Sequence, residues 1–307
     1  MEVKVSVVVP NYNHALYLRQ RIDSILNQTF QDLEVILLDD ASTDGSQAMI
    51  EAYRQHPRVT HVQMNTVNTG SPFKQWQKGI DLARGEWIWI AETDDYADET
   101  LLEKMLSAVN GRPDIGLVYC DSHVVQDNQV QPQTFISIKN KEYHTTRWSG
   151  NYVNSGSDEI ENYLLGGGTI NNTSAVLFNS KMLREADPFD MPFRYIGDKY
   201  VFVKVLARSR VAYIAESLNY YRNPFNSKHH DKTIFFFDEH FRIFDWVYRN
   251  LSISHKKFLE AFDKNTRSSV YRNWNRTKVG IYRDLFFINP TLFARCFFRN
   301  LVAPFLK

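Results

Sequence analysis

Residues 3–46 read VKVSVVVPNYNHALYLRQRIDSILNQTFQDLEVILLDDASTDGS, and their pattern decides the fold class. Val3–Pro10 is β-branched and nearly all apolar, as expected of a central strand covered on both faces. Pro10-Asn11-Tyr12-Asn13 breaks it, and Leu16, Leu18, Ile22, Ile25 and Leu26 carry a helical pattern that closes at Gln28-Thr29-Phe30. Leu33–Leu38 reads as a second strand, ending in Asp39-Asp40. Ala41–Ser46 is turn chemistry, with Thr43, Asp44 or Ser46 available to cap a helix over residues 47–55, and a short strand follows near 59–64. Strand, helix, strand, helix with short connections predicts parallel βαβ units. The fold class is therefore α/β, a Rossmann-like, mostly parallel sheet flanked by helices.

Ligands of such sheets bind at the carboxyl ends of strands. A further apolar run, Trp87–Ala91, ends abruptly in Glu92, Asp94 and Asp95. Carboxylates at the end of a buried strand are costly without a positive partner. A divalent cation held with a phosphorylated ligand would supply one, since hard oxygen ligands suit Mg²⁺ or Mn²⁺. The competing reading is a solvated acidic turn before a helix near residue 98. Pro10-Asn11-Tyr12, Asp39-Asp40 and Asp94-Asp95 all fall at strand ends, and their convergence on one edge favours a site over three unrelated turns.

Composition narrows the class. Of 307 residues, 43% are hydrophobic and 23% charged, an ordinary globular balance with ample material for a core. A formal net charge of +1 gives no nucleic-acid signature. That total hides an asymmetry: residues 240–307 carry thirteen Lys/Arg against four Asp/Glu, so the tail is a candidate for contact with something anionic. Cys120 and Cys296 have no metal-ligand spacing and read as reduced, buried thiols. No signal region opens the chain, and no apolar run reaches the roughly 18 residues of a membrane span. A cytoplasmic protein is expected, with peripheral contact at the inner membrane face as a candidate.

Downstream, a helix is expected over 73–84 carrying Lys74 and Lys78, then one over 98–109 and a strand over 115–120 ending in Asp121 and Ser122. Residues 126–157 read as a long excursion with a strand or two, a candidate flap. Gly166-Gly167-Gly168 precedes Thr169–Phe178, where Asn171 and Asn172 suit either a polyhydroxylated ligand or a turn. Asp198 stands where a helix starts, so a cap competes with any chemical role. Val211–Ala215 is a last short strand. From Phe235 the pattern turns helical and aromatic. Residues 285–307 resemble an interfacial amphipathic segment, against oligomer packing or plain core. No glycine-rich dinucleotide or phosphate-loop string occurs.

Three stretches then match one family. VSVVVPNYNHALYLRQRIDSILNQTFQDLEVILLDDASTDGS, KGIDLARGEWIWIAETDD and YIGDKYVFVKV, in that order, resemble inverting family 2 glycosyltransferases of the GT-A fold, covering roughly residues 3–230. The resemblance implies that Pro10 and Tyr12 line the nucleotide base, with Tyr12 stacking. Asp40 would accept from uracil or thymine N3–H, with Asp39 its companion. It implies Asp94 near the ribose and diphosphate, Asp95 as the ligand of Mn²⁺ or Mg²⁺, and Asp198 as general base. Where the family's acidic motif often begins with Asp, this chain has Glu92, a supporting carboxylate. Lys74 is a candidate for phosphate, Asn172 for a sugar, and His229 and His230 for a loop over the diphosphate.

On that footing, residues 1–230 form a glycosyltransferase domain, with 1–121 the nucleotide-binding half and 122–230 the acceptor-binding half. Residues 231–307 form a helical C-terminal extension. The expected partners are a nucleoside-diphosphate sugar and a saccharide or lipid-linked acceptor, with membrane contact through 285–307; oligomeric state is not read. Two rival classes compete. An Asp-dependent phosphoryl-transfer domain would place its acid after the first strand, where Pro10-Asn11-Tyr12 has none. A non-catalytic sugar-nucleotide or carbohydrate-binding module would need the nucleotide cluster but not Asp198.

Overall fold

A computed structural model describes residues 3–222, 233–273 and 286–295. Its first half alternates strand and helix as β1 (Val5–Asn11), α1 (Ala15–Leu26), β2 (Leu33–Asp39), α2 (Ser46–Ala52), β3 (Val59–Met64), α3 (Pro72–Leu82) and β4 (Trp87–Ile90). β1 is buried along its whole length and lies between β2 and β4, parallel to both; β3 continues the parallel order beyond β2. Valine alternation explains the burial, because strand side chains point to opposite faces. Val5, Val7 and Val9 pack with Leu18, Ile22 and Ile25 of α1, whereas Val8 faces Trp76 and Ile80 of α3. The α3 contact is close: a Cβ added at Gly79 would lie 2.2 Å from Val8 Cγ1.

The second half contains β5 (Tyr96–Ala97), α4 (Leu101–Val109), β6 (Ile115–Gln126), β7 (Gln129–Thr134), α5 (Phe135–Glu142), β8 (Tyr152–Ser155), α6 (Gly156–Glu159), β9 (Val176–Asn179), α7 (Ser180–Ala186), α8 (Gly197–Leu206) and β10 (Arg210–Arg222). All strands join one sheet in the order β3-β2-β1-β4-β9-β6-β10-β5, with β7 on β6 and β8 on β10. The parallel ladder of the first half thus meets β9, which runs antiparallel to both β4 and β6. β6 and β10 each run well past the strands expected at 115–120 and 211–215, pairing parallel as far as Arg222↔Val125. A register shift near Ser217 lets that strand continue, and the Ser217 hydroxyl there donates to Asp121 Oδ2 at 2.6 Å.

The excursion at 126–157 is fastened down. Lys139 of α5 is buried, its ammonium 5.5 to 5.6 Å from the ring centroids of Tyr119, Trp148 and Tyr213, and it donates to the Thr169 carbonyl at 3.0 Å. Cation–π contact offsets the cost of burying that charge, although burial still lowers its pKa to about 8. C-terminal to β10, α9 (Thr233–Asn250) and α10 (His255–Asn273) place Phe241, Phe244, Phe258 and Phe262 in the core on the α3/α8 face. Of residues 285–307, only 286–295 are described. Leu292 is buried and Asn289 donates to Asp245 of α9 at 2.7 Å, while Phe287 is 72% exposed. Among the described residues no helix is long and apolar enough to cross a membrane.

Candidate active site

Register brings the three strand ends together. Asn11 of β1 pairs with Asp39 of β2, and the Thr93 hydroxyl donates to the Pro10 carbonyl at 2.7 Å. The edge therefore carries Pro10–Tyr12, Asp39–Asp40 and Glu92–Asp95 side by side.

At the acidic corner the charge has two resident partners that the sequence reading missed. Arg21 of α1 is fully buried, with its guanidinium 5.0 Å from the Trp89 ring centroid and Nε donating to the Glu92 carbonyl at 2.9 Å. Burial lowers its pKa to about 10, and Asp95, Asp94 and Glu92 act against that loss. It therefore stays a cation at neutral pH. Arg222 closes β10 over the same corner. Its backbone N–H donates to Asp95 Oδ1 at 2.9 Å, and its guanidinium donates to the Asp94 carbonyl at 2.7 Å and to the Gln20 side chain. The Tyr17 and Tyr96 rings flank that guanidinium at 4.6 and 4.9 Å. Arg21 could have been suspected from its place among apolar positions of a buried helix face. Arg222 had no such signal.

Even so, the corner remains short of positive charge. Burial, then the neighbouring Asp94, pushes Glu92 up to about 8, and the Trp76 N–H bond at 2.6 Å only partly opposes this. The same two causes push Asp95 up to about 7. Carboxylates that hold protons this strongly are hard-oxygen donors to which a divalent cation would be a favourable replacement for the proton. Among the described residues no group of three or more His, Cys, Asp or Glu is arranged to hold a metal. A partial shell of one or two carboxylates still fits Mg²⁺ or Mn²⁺, which complete their coordination with substrate phosphates and water.

At the β1 end of the edge Tyr12 is 47% exposed, an open ring at the strand end. Asp40 is buried and well supplied with donors: Asn65, Gln75 and the Thr69 N–H bond Oδ1 at 2.7, 2.9 and 3.0 Å, and the Thr69 hydroxyl bonds Oδ2 at 2.8 Å. Asp39 is fully buried, and its carboxylate is spent on Asn11, the Ser42 N–H and Gln47. It orders the turn behind Tyr12 and does not reach the surface. Lys74 is exposed on α3 and reaches the Thr69 carbonyl at 3.4 Å, on the Asp40 side of the edge. Asn172 takes the turn alternative: its Oδ1 accepts from the Ala175 N–H at 2.9 Å and its Nδ2 donates to Ser122 at 3.1 Å. His229 and His230 lie outside the described residues.

Asp198 stands in the first turn of α8, yet its side chain caps nothing beyond the adjacent Lys199 N–H, 2.7 Å from Oδ1. Burial pushes its pKa up to about 6, opposed by Lys199 and reinforced by the Glu239 carboxylate. The Lys199 ammonium turns away to the Leu165 carbonyl at 3.0 Å, so no ion pair ties Asp198 down. The segment before it is held by the C-terminal helices. Glu239 of α9 accepts from the backbone N–H groups of Arg194, Tyr195 and Ile196 at 2.7, 3.0 and 2.8 Å. Tyr221 of β10 packs its ring 5.6 Å from that of Phe135, and burial first, then the carboxylates of Asp95, Asp94 and Asp198, raises its pKa to about 12.

These features define an α/β strand-end site with an acidic corner, and Asp198 as a separate buried carboxylate. The family model for glycosyl transferase family 2 matches residues 6–162, and the chain belongs to that family. It is 37% identical over 109 residues to glycosyltransferase GlyG of Streptococcus pneumoniae, a stretch that is 36% of this chain and 36% of that protein. The chain thus matches about a third of that relative's length. The structure of S. aureus TarS with UDP-GlcNAc superimposes with a TM-score of 0.70 at 15% identity, covering 96% of this chain and 83% of that one. The Pyrobaculum calidifontis mannosyltransferase PcManGT, solved with GDP-Man and Mn²⁺, gives 0.59 at 16% identity over 98% and 88%. At these identities the two structures establish the GT-A fold alone.

Proposed function

We propose that the protein is an inverting glycosyltransferase that moves a sugar from a UDP- or dTDP-type donor to the hydroxyl of a saccharide or lipid-linked saccharide, in surface polysaccharide assembly. The observation that carries this reading is the convergence of strand ends: Asn11 pairs with Asp39 and Thr93 bonds the Pro10 carbonyl, so Tyr12, Asp40 and the Glu92–Asp95 corner share one sheet edge.

In this reading Tyr12 stacks on the base, and the buried Asp40 network shapes the pocket beside it. Asp95, with Asp94 beside it, would hold Mn²⁺ or Mg²⁺, which when bound acts as a Lewis acid toward the diphosphate. Glu92 supports that corner through Trp76. Asp198 takes the proton of the acceptor hydroxyl as the oxygen attacks the anomeric carbon and the bond to the diphosphate breaks. A carboxylate pushed up to about 6 is ionised at neutral pH and still basic enough for that task. The TarS complex with UDP-GlcNAc supports a UDP-type donor, and the PcManGT complex with GDP-Man and Mn²⁺ supports the metal.

The test is a screen of UDP-, dTDP- and GDP-sugars with Mn²⁺, scored by release of the nucleoside diphosphate. Release from one donor is expected; release from none, with no binding either, would refute the reading. Exposed Phe286 and Phe287 also support peripheral contact of 285–307 with the inner membrane face. Vesicle co-sedimentation with and without residues 285–307 checks this, and equal binding by both forms would remove it.

A further inference from the structure

We propose that the Tyr221 hydroxyl is a hydrogen-bond donor to the diphosphate of the bound nucleotide, a contact that deepens the reading above and rests on it. Strand alternation places the side chain. Tyr220 and Arg222 both face Tyr96, the first by ring stacking at 4.3 Å and the second at 4.9 Å. Tyr221 therefore projects from the opposite face, where its ring meets Phe135 of α5 at 5.6 Å. Its backbone position is set by the next residue, whose N–H is bonded to Asp95.

The hydroxyl itself is idle. Tyr119 bonds Tyr152, Tyr143 bonds the Tyr163 carbonyl and Tyr200 bonds Asp190, whereas the hydroxyls of half-buried Tyr96, Tyr163 and Tyr220 have no partner among the described residues. Tyr221 donates to none of the described residues, at a strand end that the next residue's N–H bond to Asp95 holds against the acidic corner. A tyrosine phenol is neutral at physiological pH, so this hydroxyl is available as an O–H donor to an acceptor. The ligand brought to Asp95 with a cation carries such acceptors, the diphosphate oxygens. When the anomeric bond breaks, its electron pair stays on the departing phosphate oxygen. A preset O–H aimed there stabilises the growing charge without giving up its proton. Phe135 fixes the ring, which gives the excursion at 126–157 a direct hold on the site.

Tyr221→Phe removes the hydroxyl and keeps the ring. The probes are UDP, dTDP and GDP with Mn²⁺, and the parent nucleoside of whichever binds most tightly, measured by calorimetry. The variant should raise Kd for the diphosphate by about tenfold and leave Kd for the nucleoside unchanged. Tyr220→Phe, on the other face of the strand, should change neither. Unchanged diphosphate binding in Tyr221→Phe would overturn the assignment, and so would parallel weakening of nucleoside and diphosphate, which marks a packing role. If the wild type binds none of the three diphosphates, the transferase reading falls and takes this contact with it.

Discussion

The Arg21 side chain bonds the main-chain oxygen of Glu92 at 2.9 Å, from directly beneath the acidic corner. A strand that ends in three carboxylates needs positive charge, and part of it is built in. Arg21→Met keeps the stem but leaves Glu92, Asp94 and Asp95 with Arg222 as their remaining guanidinium. Breaking a buried charge partnership of this kind typically costs about 3–5 kcal/mol. Urea unfolding should show a lower midpoint at constant slope. Adding Glu92→Gln should recover part of the loss, with a coupling of about 1 kcal/mol or more. Strict additivity would mean the two groups are independent.

Asp198 gives a pH signature. Its carboxyl titrates near 6 in the folded protein, above the ordinary 3.8. As base it must be ionised, so transfer should rise as pH passes through about 6 and level off above it. Asp198→Asn should lower kcat by about a thousandfold while leaving nucleotide binding intact. The stability sign is opposite. Because the folded pKa is raised, the ionised group costs stability above about 6, and the cost fades as pH falls toward 3.8. Asp198→Asn should therefore be more stable than wild type at pH 8 and indistinguishable at pH 4. Equal stability at pH 8 would contradict the burial argument.

The parallel half of the sheet was legible because β1 and β2 are apolar on both faces and end in turn chemistry, a local signal. β6 and β10 were read too short because their distal halves, such as Asp121–His123 and Glu216–Asn219, are polar. Their pairing with each other holds them in the sheet, and that partner is about ninety residues away. Asp95 was singled out by the acidic end of its strand and Asp198 by motif resemblance, whereas Arg21 and Tyr221 were not, since what sets them apart lies in what folds against them. Asp39 shows the converse: a motif neighbour of Asp40 whose full burial removes it from the ligand side. Asn172 could be read as ligand contact or turn, and only its bonds to Ala175 and Ser122 decide.

Glu239 gives the C-terminal helices a task at the site. Its carboxylate gathers three consecutive backbone N–H groups at 194–196, two residues before Asp198. Glu239→Ala leaves those donors without their acceptor, a loss of about 2–3 kcal/mol. Displacing the base by even a fraction of its bond length matters, so transfer should fall by about ten- to a hundredfold. Nucleotide affinity, assigned to Tyr12 and the Asp40 network rather than to the 194–198 segment, should hold. A variant that loses nucleotide binding in equal measure would point to general unfolding.

In the proposed mechanism Asp95 is the residue on which metal dependence would turn. Its Oδ1 is already anchored by the Arg222 N–H at 2.9 Å, which fixes the carboxylate's direction without neutralising it. A backbone amide carries no net charge, so the group's high proton affinity persists and a divalent cation has something to displace. Chelation with EDTA should lower transfer by about a hundredfold or more, restored by Mn²⁺ or Mg²⁺. Asp95→Asn should bind nucleoside diphosphate equally with and without Mn²⁺, because the amide keeps the Arg222 bond but loses the charge. Calorimetric titration with and without metal reads this directly. If the wild type itself shows no metal effect on diphosphate binding, Arg21 and Arg222 already supply the charge that the corner needs.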